Sequence, residues 1–346
     1  MSVVASDTEK KRNNHFVPRS YLKQWSNNGN TVWCYDTIVP TEHEKVWKSK
    51  GVGGLAYWRD FYTQVGEDDS IDDSIETLFG EQYEEPAGYA LKTLRDGGVL
   101  SSEEMAAIVD FAILQMVRTP AWYGKANRMM LDGFKPATTE TLSKLEADYA
   151  LGLLDTKSPP KNSAQLSDPA PFPQFDFEVD IDGDAGEITV SMELGRKNYL
   201  ASLGYALKGN IGNLMRGYSW SVVEMPQGVI LPTCDNPFVR CAIGRDGELS
   251  LDGGLGVKGT DLFMPLTPRR LLFTEVGNEG VLDSERLVQE PWIVDILVRA
   301  IVQNATRYVY DCSRRGEIVQ MRPRRVDPEY CSRMADSMRR WNEIQG

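Results

Sequence analysis

Residues 100–126 read LSSEEMAAIVDFAILQMVRTPAWYGKA. Ser101 followed three residues later by Glu104 is a capping box, the pairing that satisfies the first free amides of a helix. Met105, Ile108, Val109, Ala112 and Met116 then recur at helical spacing and predict a core-facing helix. Pro120 disfavours helical geometry in the residue before it, so the helix is expected to end near Thr119. Upstream, DDSIETLFGEQYEEPAGYALKTLRDGG (72–98) places Ile75, Leu78 and Phe79 on one stripe. Pro86 interrupts this second helical run, and Gly97–Gly98 close it.

Downstream the character changes. Residues 155–178, DTKSPPKNSAQLSDPAPFPQFDFE, are rich in Pro, Ser and Asp and read as a long loop. Beyond them EITVSMEL, GYSWSVVEM, TDLFMPLTPRRLLFTEV and RYVYD read as strands, with helices at 197–215, at about 284–304 and at the end of the chain. TVWCYD (31–36) is an early strand. The expected fold class is α+β, a helical N-terminal layer packed with a mixed, β-rich C-terminal part. The expected division is a disordered tail at 1–13, a mainly helical part at 14–155, a Pro/Ser-rich loop at 156–175 and a mixed part at 176–346, the two parts forming one compact unit.

Composition narrows the function. No apolar run approaches the roughly 20 residues that span a bilayer, so no membrane partner is expected. The start, MSVVASDTEKKRNN, carries no signal-peptide pattern. Five scattered cysteines without a C-x-x-C pair suit free thiols in a reducing cytoplasm. With two histidines, His15 and His43, a structural zinc site is not expected. There is no G-x-G-x-x-G, P-loop, H-E-x-x-H or G-x-S-x-G, and neither a metal nor a cofactor is expected. A net charge of -12 argues against broad binding of DNA or RNA. A local basic strip remains at 311–341, DCSRRGEIVQMRPRRVDPEYCSRMADSMRRW, read either as solvated arginines or as a docking strip for a nucleic-acid backbone.

Five constellations could carry chemistry. HFVPRSYLKQW (15–25) opens on a scarce imidazole whose ordinary pKa suits proton transfer near neutrality, with Arg19 and Tyr21 close by. Val17, Tyr21, Leu22 and Trp25 are expected to hold it down by packing. Glu76 and Glu84 are eight residues apart, near two helical turns, and could line a solvated face or clamp a cation. A guanidinium is the natural guest, because its planar fork matches carboxylates. Gln115 and Arg118 are helical neighbours on an otherwise apolar helix. They read either as an internal network with the acidic helix or as ligands for an anion or acyl carbonyl. VILPTCDNPFVR (229–240) runs a strand into Asp235-Asn236-Pro237, an Asx turn or a strand-end catalytic position. Asn304 ends an apolar helix, where an Asn is commonly a cap.

Taken in order, NNHFVPRSYLKQW, FYT, IETLFGEQYEE, LQMVRTP, YSWSVV and ILPTCDNPF, FMPLTP and QNATRYVYD resemble a large microbial and fungal family long catalogued as a domain of unknown function. Its marks are an N-terminal His-x-Val-Pro-x-x-Tyr-Leu signature and a central Ser/Thr-x-Asp-x-Pro turn. The resemblance spans roughly Asn14 to Asp311. Cys234 stands where that pattern leads one to expect a serine, which puts a catalytic serine there in doubt. Arginine-containing cyclodipeptide synthases of fungi are associated with the same signature, and the resemblance implies that activity. Arginine and a second amino acid, delivered as aminoacyl-tRNAs including arginyl-tRNA, would be closed into a diketopiperazine. Glu76 and Glu84 would hold the arginyl side chain and His15 would move protons. Arg118, Gln115 and Asn236 would position ester carbonyls, Asp235 would hold an α-amino group, and Asn304 would support the substrate site. Arg322, Arg324 and Arg325 would touch the tRNA, and no DNA partner is implied. An aminoacyl ester is already activated, so orientation and proton shuttling suffice.

Two other classes fit the same residues. A nuclease or toxin-like effector in phage defence could use His15, Glu76, Arg118 and Asp235 on a phosphodiester. A non-catalytic binding module would use them as a buried network. For the module, alanine at Glu76, Arg118 and Asp235 should unfold the chain; for either enzyme it should leave the chain folded and inactive.

Overall fold

The computed structural model describes residues 13–65, 71–151, 177–182, 187–192, 196–243, 248–278 and 282–343. The architecture is α+β, helices together with several mainly antiparallel sheets. The chain forms two compact units, Met1–Thr119 with Leu207–Gly346, and Pro120–Ala206. The loop expected at 156–175 and nearly all of the tail expected at 1–13 lie outside the described residues.

The first unit begins with β1 (Asn13–His15), α1 (Arg19–Leu22), β2 (Thr31–Asp36), β3 (Ile38–Val39), β4 (Trp47–Gly51) and β5 (Tyr57–Arg59). Then come α2 (Ser74–Phe79), a π-helical turn at Gly80–Glu84, α3 (Glu85–Arg95) and α4 (Ser102–Val117). The capping box forms as read: the Ser101 side chain accepts from the Glu104 amide, and the Glu104 side chain accepts from the Ser101 amide. The apolar stripe widens into a C-terminal half buried all round, since every residue from Phe111 to Val117 is buried, the polar Gln115 included. A helix buried all round sits inside a core rather than on its surface. The helix at 72–98 closes where its glycines stand. Gly97 has φ +81, and the Gly98 amide donates to Thr93 O at 2.8 Å.

One sheet of this unit has the order Thr233–Cys234, Tyr308–Asp311, β2, β4. The other has the order Ser221–Glu224, Arg270–Glu275, Asp261–Thr267, Val239–Ile243, Leu249–Ser250. A core joins Val223, Phe263 and Phe273 of the second sheet to Tyr35 and Val309 of the first and to Leu297 and Ile301 of the Pro291–Asn304 helix. The helix expected at 284–304 is two helices, Ser284–Gln289 and Pro291–Asn304, because Pro291 starts a new one. The second unit contains the Pro120–Ala150 helix, an antiparallel pair at Phe177–Asp182 and Glu187–Met192, and most of the Arg196–Lys208 helix. Among the described residues no helix is long and apolar enough to cross a membrane.

The larger sheet carries a pH dependence of its own. Asp261 stands directly opposite Glu275 in the antiparallel register. Burial first, then the Glu275 charge, push the Asp261 carboxyl up from 3.8 to about 6, with Arg286 opposing. A carboxyl whose folded pKa lies above its unfolded one contributes stability in full below the unfolded value and loses it as pH rises through the folded value. Denaturant titrations are therefore expected to show this group's contribution falling by about 3 kcal/mol between about pH 4 and pH 7. Asp261→Asn should flatten that part of the slope; an unchanged slope in the variant would refute the assignment.

Candidate functional site

The segment from Asn13 to Trp25 is built into the first unit along its whole length. β1 pairs antiparallel with β5, Asn13 opposite Arg59, Asn14 opposite Trp58 and His15 opposite Tyr57. The buried Asn14 Oδ1 accepts from the Tyr62 amide at 3.0 Å. The amides of Phe16 and Val17 both donate to Ala56 O, at 2.9 and 3.4 Å. Ala56 is left-handed, with φ +49, a conformation that costs a side-chain-bearing residue free energy and that its surroundings must hold. Val17, Tyr21, Leu22 and Trp25 are all fully buried, as the expectation of a packed anchor requires. Tyr21 donates to Pro265 O at 2.6 Å and shares a 2.8 Å hydrogen bond with Thr233 Oγ1, while Trp25 Nε1 donates to Leu231 O at 2.7 Å. Burial holds the Tyr21 phenol well above its ordinary range, so it stays protonated.

His15 is half-buried. Its Nε2 donates to Gly53 O at 3.3 Å, and its ring lies 5.6 Å from that of Tyr57. Burial lowers its pKa below 6.5, and the Arg19 and Arg118 charges lower it further, while the carbonyls of Gly53 and Asn13 pull the other way. The imidazole is therefore neutral at neutral pH and able to accept a proton. Arg19 is exposed and lies against Gly53, its Nε 3.6 Å from where a Cβ on that residue would stand.

Arg118 connects this segment to the acidic helix. α4 stops at Val117, and Arg118 turns inward as its C-cap. The side chain is fully buried; Nε donates to Phe16 O at 2.9 Å and Nη1 to Glu84 Oε1 at 2.7 Å. The guanidinium stands 5.9 Å from the Phe79 ring centre, and Tyr62 donates to Arg118 O at 2.5 Å. Burial alone would weaken the cation; Glu84, then Tyr62 and Glu76, hold its pKa above the ordinary value. Glu84 reaches it from the π-helical turn, which widens the helix and alters the two-turn spacing read from Glu76 to Glu84. The guanidinium that the structure shows held by Glu84 is thus the chain's own. Gln115, three residues before Arg118, is fully buried.

From Thr119 a second network starts. Thr119 Oγ1 donates to Asn236 Oδ1 at 3.2 Å. Asn304 Nδ2 donates to Asn236 O at 2.6 Å and Phe238 O at 2.9 Å, and Asn236 Nδ2 donates to Asn304 O at 3.3 Å. The buried Asp235 carboxylate accepts three backbone amides, Thr306, Arg307 and Tyr308, at 2.7, 2.8 and 3.0 Å. It secures the chain where the Pro291–Asn304 helix passes into the Tyr308–Asp311 strand. Burial pushes its carboxyl up to about 6 against the pull of those donors. Asp235→Asn keeps the shape but turns an NH2 toward at least one donor, and is expected to lower stability by about 1–3 kcal/mol in denaturant unfolding. A neutral result would show that the three amides do not depend on the carboxylate. Cys234, fully buried, has its thiol pushed far up and is no thiolate nucleophile at neutral pH.

Of the C-terminal arginines, Arg322 donates to the carbonyls of Val302, Gln303 and Ala305 at the end of the Pro291–Asn304 helix. Arg324 donates to Glu44 O at 2.6 Å and Glu42 O at 3.2 Å. Both staple backbone, as cations near helix ends and carbonyl groups do. Arg325 is exposed and paired with Asp327 at 3.2 Å. Sequence reading missed Tyr57 and Gly53, whose proximity to His15 follows from strand pairing and the turn before β5, and gave no role to Tyr62 and Thr119, although the FYT and LQMVRTP stretches contain them.

Among the described residues no group of three His, Cys, Asp or Glu side chains could hold a metal ion. The family described as Protein of unknown function (DUF4238) matches residues 13–315, and the chain belongs to it. Comparison with curated proteins and with solved structures gave no match.

Proposed function

We propose that the protein is a tRNA-dependent cyclodipeptide synthase that joins arginine and a second amino acid from aminoacyl-tRNAs. The observation that carries this reading is His15, a neutral, half-exposed imidazole acted on by two guanidiniums, Arg19 and Arg118. A neutral base beside an exposed cation, Arg19, suits a substrate that carries negative charge and needs a proton moved. An RNA-borne ester meets both conditions. The α-amino group of one aminoacyl residue attacks the ester carbonyl of the other. An amide forms, the ester C–O bond breaks, and the proton lost by the amine passes through His15 to the departing ribose oxygen. A second such step closes the ring and frees the second tRNA.

The roles of the other residues follow their positions. Arg118, Asp235, Asn236 and Asn304 support the framework that holds His15 and the 235–238 turn. Glu84 Oε1 serves Arg118, and the Glu76 charge acts on the same guanidinium, so the chain's own arginine engages the acidic pair whose spacing suggests a clamp for an arginyl side chain. Alanine at Arg118 or Asp235 would therefore unsettle the chain whether or not it is an enzyme, and His15 and Arg19 become the residues that separate a catalyst from a binding module.

The test is mass spectrometry on extracts of cells expressing the wild type or His15→Ala at equal soluble levels. An arginine-containing cyclic dipeptide present with the first and absent with the second is the expected result. Degraded RNA without a new metabolite would replace this reading with a nuclease, which the same imidazole-and-arginine geometry also serves. Neither effect would favour the binding module.

A further inference from the structure

We infer that the outer face of the β1–β5 ribbon, with Arg19 beside it, is a binding surface for the single-stranded 3′ end of an RNA. Alternation along the two paired strands puts Asn13, His15, Tyr57 and Arg59 on one face and Asn14 and Trp58 on the other. Burial follows that division. Asn14 and Trp58 are buried; Asn13 and Arg59 are exposed, and His15 and Tyr57 are half-exposed. Arg59 keeps 55% of its side chain exposed, with its Nε 3.5 Å from the buried Asp60. Arg19, also exposed, lies over Gly53, the residue whose carbonyl holds His15. Gly54 is exposed, and nothing stands within 4 Å of where a side chain on it would begin.

The face therefore offers two guanidiniums, an aromatic ring and a proton-carrying imidazole side by side, on a chain whose net charge is -12. Arginines that track phosphates and an aromatic ring that stacks a base are what single-stranded nucleic acid requires. Double-helical RNA offers its bases to no such ring. The terminal ribose would stand at His15, the base next to it on Tyr57, and the preceding phosphates at Arg19 and Arg59. The surface is proposed in place of the C-terminal strip, where Arg322 and Arg324 are engaged with backbone carbonyls and the exposed Arg325 is paired with Asp327. It rests on the proposed reading of an RNA-borne substrate and deepens it.

The test is fluorescence anisotropy of the full-length chain with a short labelled single-stranded RNA ending in cytidine-cytidine-adenosine, at several salt concentrations. Arg19→Ala with Arg59→Ala should weaken binding at least about tenfold and reduce the slope of log affinity against log salt by about 1.4, roughly 0.7 for each phosphate no longer neutralised. Tyr57→Ala should weaken binding about fivefold or more, and Tyr57→Phe should restore it, because stacking needs the ring and not the hydroxyl. Arg325→Ala should bind as the wild type does. No binding by the wild type, unchanged binding by the double variant, or a loss confined to Arg325→Ala would overturn the surface. RNA binding that depends on these residues in a chain making no cyclic dipeptide would refute the proposed activity and leave the surface standing. Dipeptide synthesis indifferent to Arg19, Tyr57 and Arg59 would refute the surface alone.

Discussion

Arg118→Ala is expected to lower the free energy of unfolding by about 3–5 kcal/mol, the range for removing one partner of a buried ion pair. The guanidinium has no exposed surface and serves two acceptors at once, Phe16 O and Glu84 Oε1. Truncation leaves that carbonyl and that carboxylate facing a cavity beside Phe79, and releases the segment that carries His15. Arg118→Lys should recover only part of the loss, because an ammonium has no planar fork with which to reach both acceptors. Glu84→Gln should cost less than Arg118→Ala, since the amide oxygen still accepts a hydrogen bond while the charge pairing is lost. Denaturant unfolding of the three variants checks the order. A loss under about 1 kcal/mol for Arg118→Ala would mean that water replaces the side chain without penalty.

The legible parts of the fold were those set by local chemistry. Ser101 and Glu104 form a capping box whatever surrounds them, and Gly97 takes the left-handed turn that ends α3 because no other residue does so at so little strain. The π-helical turn at Gly80–Glu84 was not legible. Helical spacing assumes one residue angle throughout, and the turn departs from that angle just where Glu84 pairs with the distant Arg118. Chemically capable side chains are visible in a sequence, but what occupies them is not. Glu76 and Glu84 could be read as a guanidinium clamp; that Arg118, thirty-four residues beyond Glu84, supplies the guanidinium depends on packing. Asp235 and Arg322 looked like ligands for substrate and RNA for the same reason, and the backbone groups they serve lie at residues 302–308, too remote from Asp235 in sequence for spacing to reveal. The partners of His15 became visible only with the β1–β5 register, which no motif encodes.

His15→Ala is expected to reduce kcat/KM by about 10²- to 10⁴-fold, the usual contribution of a positioned acid or base. The fold should tolerate the change, because the ring is only half-buried and its hydrogen bond to Gly53 O is a long one at 3.3 Å, while Val17, Tyr21 and Trp25 anchor the segment. The pH profile carries the sharper demand. The imidazole must be neutral to accept a proton, and burial with the charges of Arg19 and Arg118 places its pKa below 6.5. The rate of ester consumption should rise with pH along a limb below 6.5 and reach its plateau near neutrality. Arg19→Ala removes one of the charges that lower the pKa, so the limb should move toward higher pH, and Arg19→Lys should return it. A limb that stays in place in Arg19→Ala would separate Arg19 from the proton carrier, and a profile unaffected by His15→Ala would remove His15 from the chemistry. Because a phosphodiester-cleaving site would show the same limb, the product must be read in parallel: cyclic dipeptide with intact deacylated tRNA for the synthase, shortened RNA for the nuclease.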